Sequence, residues 1–360
     1  YRQDDTHYVL KGAVLNENPP KFVTTRAVVK GVAESVSNVR MGFAAFNVGS
    51  NVRYDPPRIP VFPRPACSAL NPIDNGAIVS AIASQLNTIQ FTGSEQQIGE
   101  ALFGIGGYFS KQSYWKNWFD GSYGPSNYPH ASGWTDATNE YTESVSGYPA
   151  SVKVWDTDTT YPAMCSPCQQ NMVIVLTDGK PDADNSVPES KMMSLLTANN
   201  VKRQDGTTLT FSPNSGGSCP NGNTGGINFC DRFGVTKCQC DYATSPQGPD
   251  NGNKNFMDDV AFFLANYDLR PDTTNWPGDQ KLYTYTIGIG DTSDAVTTAM
   301  LKSIAYAGNG RYYAAANASQ LKDSVISAIQ DVQIKASSFS GAAVADAAAD
   351  TAASVEEMVV

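Results

Sequence analysis

Histidine is almost missing from this chain. Only His7 and His130 occur among 360 residues, both in irregular stretches, so no Ser-His-Asp relay can be assembled around a helix- or strand-borne imidazole. No glycine-rich loop has the spacing that cradles phosphate. Basic residues are also short, 25 against 35 acidic ones for a formal charge of -10. That excludes nucleic acid as the expected partner, because phosphate binding needs a Lys and Arg surplus; cation binding or solubility suits the balance better. No apolar run approaches the roughly 20 residues of a membrane span. The opening Tyr1-Arg2-Gln3-Asp4-Asp5 is no signal peptide, so a targeting segment is expected to be removed or to lie outside this sequence. Together these absences argue against an enzyme.

What is present is a core-forming composition, 41% hydrophobic, in a length that fits one large domain with insertions or two ordinary ones of roughly 100 to 200 residues. The most telling stretch is 171–180, Asn-Met-Val-Ile-Val-Leu-Thr-Asp-Gly-Lys. Val173, Ile174, Val175 and Leu176 are contiguous, as a strand covered on both faces requires. The run stops at Thr177-Asp178-Gly179, which would deliver a carboxylate to the carboxyl end of a sheet, where open α/β sheets bind ligands. Asp178 is either a metal or ligand contact or the cap of the following helix. Gly179 permits a sharp turn after it.

Seven cysteines speak about compartment. Cys165 and Cys168 form a C-x-x-C ahead of the buried strand, while Cys219, Cys230, Cys238 and Cys240 crowd a polar stretch that has little to bury. Disulfides are the usual means of ordering such a loop outside the cytosol, and four cysteines there allow three pairings. A zinc site is the alternative, disfavoured by irregular spacing and by the histidine shortage. Cys165 and Cys168 are disulfide candidates as well, a thioredoxin-like use of them being disfavoured because the pair precedes a strand rather than opening a helix. Cys67 makes the count odd: a free thiol, or the partner of something absent from this chain.

Periodicity alternates helix and strand. Residues 22–37 place Val28, Val29, Val32 and Val36 on one helical face after Pro19 and Pro20. A strand follows at 39–48, helices at 77–86 and 98–109, and the buried strand at 171–177. Then come a helix at 256–267, a strand at 282–289, a helix at 295–305, a short strand at 311–315 and a helix at 319–332. That rhythm predicts a mostly parallel central sheet with helices on both faces. Two long insertions interrupt it. Residues 111–170 are rich in Trp and Tyr, forming either a recognition surface or a small satellite core; residues 197–255 hold the cysteine cluster. Residues 1–336 therefore read as the domain and 337–360 as a linker or disordered tail.

With those elements placed, the chain resembles a von Willebrand factor A domain, and more narrowly that of the PilY/PilC-type adhesins at type IV pilus tips. The resemblance rests on Val173-Ile-Val-Leu-Thr-Asp-Gly-Lys-Pro-Asp182, Met257-Asp-Asp-Val-Ala-Phe-Phe-Leu-Ala-Asn-Tyr-Asp-Leu-Arg-Pro-Asp272, Tyr283-Thr-Tyr-Thr-Ile-Gly-Ile-Gly290 and Gly310-Arg-Tyr-Tyr-Ala314. It implies a Rossmann-like α/β fold and an extracellular place at the bacterial surface or pilus tip, reached through the periplasm. It also implies adhesion, with pilus subunits and a host or surface ligand as partners. The family's adhesion site holds Mg2+ or Ca2+ on oxygen ligands: an Asp-x-Ser-x-Ser after the first strand, a Thr before a later helix, and an Asp after the fourth strand. Asp178 matches the last. Gln96 stands where the Thr is expected, with Ser94 or Thr92 available in a shifted loop. The Asp-x-Ser-x-Ser is absent, and with it the central first strand. That strand is expected upstream of residue 1, in preference to a C-terminal segment such as 354–360 taking its place, since Glu356 and Glu357 suit a buried strand badly. A secreted A-type domain unconnected to pili is the alternative function. An EF-hand over Asp178, Asp182, Asp184 and Glu189 is rejected, since Lys180 and Ala183 stand where an acid and a glycine are needed. The pair Asp156 and Asp158 reads as solvated.

Overall fold

A computed structural model of the chain describes residues 21–45, 58–64, 67, 75–86, 98–110, 134–135, 140–142, 151–153, 162–179, 187–202, 206, 229–235, 256–290, 293–343 and 355–359. In chain order these form α1 (Lys21–Ser35), β1 (Val39–Ala45), β2 (Arg58–Arg64), α2 (Asn75–Leu86), α3 (Ile98–Ser110), β3 (Trp134–Thr135), β4 (Glu140–Thr142), β5 (Ser151–Lys153) and β6 (Gln170–Thr177). There follow α4 (Glu189–Ala198), a 3-10 turn (Cys230–Phe233), α5 (Met257–Asn266), β7 (Leu282–Ile289), α6 (Ala295–Ala307), β8 (Asn309–Ala315), α7 (Ala318–Ala343) and β9 (Val355–Val359).

The main sheet has the order β2-β1-β9-β6-β7-β8, and a separate three-stranded antiparallel sheet, β3-β4-β5, lies within the first insertion. Every neighbouring pair from β1 to β8 is parallel. Only β2 runs antiparallel, on β1. The expected mixed α/β architecture, a mostly parallel sheet with helices on both faces, is therefore what the chain builds, consistent with a Rossmann-like fold.

Strand β6 explains why two helical layers are needed. Met172 to Val175 are all buried to 0% exposure, and successive side chains point to opposite faces. Val173 and Val175 join a cluster with α3, α4, α5 and α6. Met172, Ile174 and Leu176 join another with α1, α2 and α7. Burying each such aliphatic side chain contributes about 1.5–3 kcal/mol. The valines of α1 and the one just after it lie in the second cluster as their spacing predicts, Val28, Val29, Val32 and Val36 all being buried.

Several elements were not legible beforehand. Strand β2, Arg58-Ile-Pro-Val-Phe-Pro-Arg, carries two prolines, which lack a ladder donor and so suit an edge strand with shifted register. Helix α4 buries Met192, Met193 and Leu196, a three- and four-residue spacing in a stretch to which periodicity assigned no element. The strand read as 39–48 is described only to Ala45. The tail read from 337 begins inside α7, which continues to Ala343.

The larger correction concerns the sheet's centre. Of the two ways to fill the missing strand's place, the upstream one was favoured, yet the place is taken by β9. Val355 to Val359 pair with Val39 to Phe43 on one side and with Gln170 to Ile174 on the other. Backbone demand outweighs the poor suitability of two adjacent glutamates: without this strand, β1 and β6 would each present an unpaired row of N–H and C=O groups in the middle of the molecule.

The bridge between Cys67 and Cys165 also differs from expectation, since Cys67 finds its partner within the chain. Their separation of 98 residues corresponds to about 4.7 kcal/mol of stabilisation on the chain-entropy account for a loop of about 100 residues. Cys168, expected in a disulfide, is instead a free, exposed thiol. Cys230 is disulfide-bonded as expected, while Cys219, Cys238 and Cys240 lie outside the described residues.

Deleting residues 344–360 tests the central placement of β9. Amide hydrogen exchange should show protection in β1 and β6 falling by at least ~10-fold, with β7, which keeps both neighbours, affected least. Unchanged protection in β1 and β6 would show that β9 does not hold the centre.

Candidate functional site

Asp178 follows the last residue of β6 and is exposed at the carboxyl end of the parallel sheet. Its turn is held by Thr177, whose Oγ1 lies 3.2 Å from both the backbone N and the O of Gly179, accepting from the first and donating to the second. Positive φ is not needed here: among the described glycines it occurs at Gly206, Gly234, Gly278 and Gly290, not at Gly179. Nor does Asp178 cap the next helix, because the N-cap of α4 is Pro188, with no side-chain cap bond.

What meets Asp178 is Lys21, the first residue of α1. Its Nζ donates to Asp178 Oδ2 at 3.0 Å, with the two side chains 52% and 42% exposed. An ion pair this wet contributes only about 0–1 kcal/mol. Its geometry is nonetheless set by the frame. Gly290, just after β7, has φ +90°, and a Cβ there would lie 2.9 Å from Lys21 Cε. The backbone angle favours glycine here, while the lysine stem, flexible and half-exposed, lies across the space its missing side chain leaves. Gly290 N–H donates to Ala315 O at 2.8 Å, tying the ends of β7 and β8 at the same rim.

Of the residues implied for a cation, only Asp178 is described; Gln96, Ser94 and Thr92 lie outside the described residues. Among the described residues no group of three His, Cys, Asp or Glu could hold a metal ion. One carboxylate already matched by an ammonium is not a divalent-cation donor set. Lys21 was missed because nothing in a sequence links positions 157 apart.

The acidic motifs that carry the resemblance turn out to be braces. Asp258, fully buried, accepts from Ser303 Oγ at 2.8 Å, and Ser303 Oγ in turn accepts from Phe229 N at 2.8 Å. This relay fastens the cysteine-bearing insertion to α5 and α6. Asp268 Oδ1 accepts from the N–H groups of Arg270 and Gln280, both at 3.0 Å. The buried Arg270 donates through Nε to Phe109 O at 2.9 Å, at the end of α3, and lies over the Trp276 ring. Asp272 is an exposed turn former, its carboxyl held below the usual range by hydrogen bonds from the Asn275 side chain and backbone and from Thr274 N–H.

A second polar cluster, invisible to pattern reading, lies toward the amino ends of β7 and β8. Tyr285 Oη donates to Asp331 Oδ2 at 2.5 Å. Lys335 Nζ lies 2.9 Å from both Asp331 Oδ2 and Tyr285 Oη, and Arg311 Nη2 lies 2.9 Å from Asp331 Oδ1. Burial alone would raise the Asp331 carboxyl. The hydrogen bonds from Tyr285 and Lys335, with the charges of Lys335 and Arg311, outweigh it and hold the group below its ordinary value. Burial, followed by the hydrogen bond to Asp331, pushes the Tyr285 phenol up.

Comparison with protein-family models, curated proteins and solved structures finds no match to this chain.

The Asp331 cluster sets a pH signature. A lowered folded pKa gives Asp331 a stabilising contribution present above the ordinary carboxylate value of about 3.9, lost as pH falls through its lower folded value. A raised one gives Tyr285 a contribution present below the ordinary phenol value of about 10, lost as pH rises through its folded value. In urea titrations across pH, Asp331→Asn should cost about 1.5–3 kcal/mol at neutrality and flatten the acid limb. Tyr285→Phe should flatten the alkaline limb.

Proposed function

We propose that this chain is an adhesive binding module of the von Willebrand factor A type, working at the bacterial surface as part of a type IV pilus tip-associated protein. The reading assigns contact with a host or surface ligand to the carboxyl end of the parallel sheet, and pilus subunits as the other partners. The observation that carries it is Asp178, presented at that end by a strand covered on both faces, where α/β sheets take their ligands. The export route suits the Cys67–Cys165 bridge, since such staples persist in oxidising compartments.

The resemblance would add Mg2+ or Ca2+ at this rim. The described donors do not by themselves make such a site, so nothing in this reading is routed through a cation.

Purified chain adhering to cultured cells and to an abiotic surface provides the test. Asp178→Ala should lower adhesion at least tenfold. Asp279→Ala removes an exposed acid just ahead of β7, at the opposite rim, and should leave adhesion unchanged. Equal adhesion by wild type and Asp178→Ala would end the proposal. Repeating the assay in EDTA separates cation-dependent contact from direct contact.

A further inference from the structure

The turn that leads into β6 carries two cysteines, one bridged and one free. Cys165 is bridged to Cys67, and Cys168, three residues further on, is a free and exposed thiol. The turn is firmly built. Arg40, buried in β1, donates to Pro162 O at 2.8 Å and to Ala163 O at 3.2 Å. Gln169 Oε1 accepts from Cys165 N at 2.9 Å, and Gln169 N–H donates to Ser166 O at 3.3 Å. The same Gln169 donates through Nε2 to Asn171 Oδ1 at 2.6 Å, and Asn171 Nδ2 reaches Lys281 O at 3.3 Å across the sheet. The bridged sulfur is thus carried on fixed backbone, while the free thiol stands at the wet side of the same four-residue turn. Two cysteines separated by two residues are at a spacing that a disulfide can close.

We propose that Cys168 is the attacking group of an internal thiol–disulfide exchange that moves the bridge from Cys67–Cys165 to Cys165–Cys168. Cys168 loses its proton to water, and the thiolate attacks Cys165 Sγ. The new Cys165–Cys168 bond forms as the Cys165–Cys67 bond breaks, and Cys67 leaves as a thiolate that takes up a proton. One disulfide and one thiol remain on each side of the equation, so no oxidant or reductant is consumed. The consequence is topological. In one form the segment after β2 is stapled to the entrance of β6. In the other that staple is gone, the bridge spans only the turn, and a thiol appears at Cys67.

The exchange goes beyond the adhesive reading and does not depend on it. Its test is disulfide mapping of the full chain, incubated without added thiol at pH 6.5, 7.5 and 8.5, quenched with acid, labelled with N-ethylmaleimide and digested without reduction. The expected starting species carries the label on Cys168 and links Cys67 to Cys165. A second species, labelled on Cys67 with Cys165 joined to Cys168, should accumulate, and faster at the higher pH, because the thiolate is the attacking species. Cys168→Ser, a change at an exposed position, should keep the Cys67–Cys165 link throughout. Persistence of the first species alone after a day at pH 8.5 would overturn the proposal. So would equal loss of the link in Cys168→Ser, or Cys168 found joined to any cysteine other than Cys165.

Discussion

A strand with aliphatic side chains on both sides cannot be satisfied by one layer, and β6 imposes that condition on everything around it. Its alternate residues feed two separate clusters, so helices must lie above and below, and connections between parallel neighbours must cross over as helices. The same two-sided cover leaves the strand's end as the place where a polar side chain can reach water. Asp178 is exposed for the reason that Val175 is not.

The rim around Asp178 shows how a weak contact can still be well placed. Lys21 and Asp178 gain little from each other in solvent, but Gly290 leaves room for the lysine stem and Thr177 fixes the turn that carries the acid. The strongly held polar groups lie elsewhere. Asp258, Arg270 and Arg40 are buried and bonded to backbone or to a side chain that grips backbone, and each fastens an irregular segment to a regular one. Acids that a pattern search would count toward function here serve as anchors.

That division explains what the amino-acid order disclosed. The β6 run, the α1 valines and the helix–strand alternation were legible because one residue's neighbours in sequence decide them. Strand β2 was hidden by prolines that disqualify a central strand but not an edge one. Helix α4 is short, and its apolar positions Met192, Met193 and Leu196 are too few for a clear period. The Lys21–Asp178 contact, the Cys67–Cys165 bridge and the Tyr285–Asp331–Lys335 cluster join positions far apart in the chain, and no local periodicity encodes them. The tail was misjudged for a related reason: its composition describes a poor core, while its role is decided by two strands that lack partners.

The order of strands in space is not their order in time. Of the six in the main sheet, the one that joins β1 to β6 is the last in the chain. As this polypeptide emerges from the ribosome, the pairs β1–β2 and β6–β7–β8 can form early, but each must wait with a bare inner margin. Assembly of the whole is then governed by a late, long-range closure, the kind that slows folding and lengthens exposure to wrong partners. A holdase bound to the chain until β9 has been made would shorten that exposure.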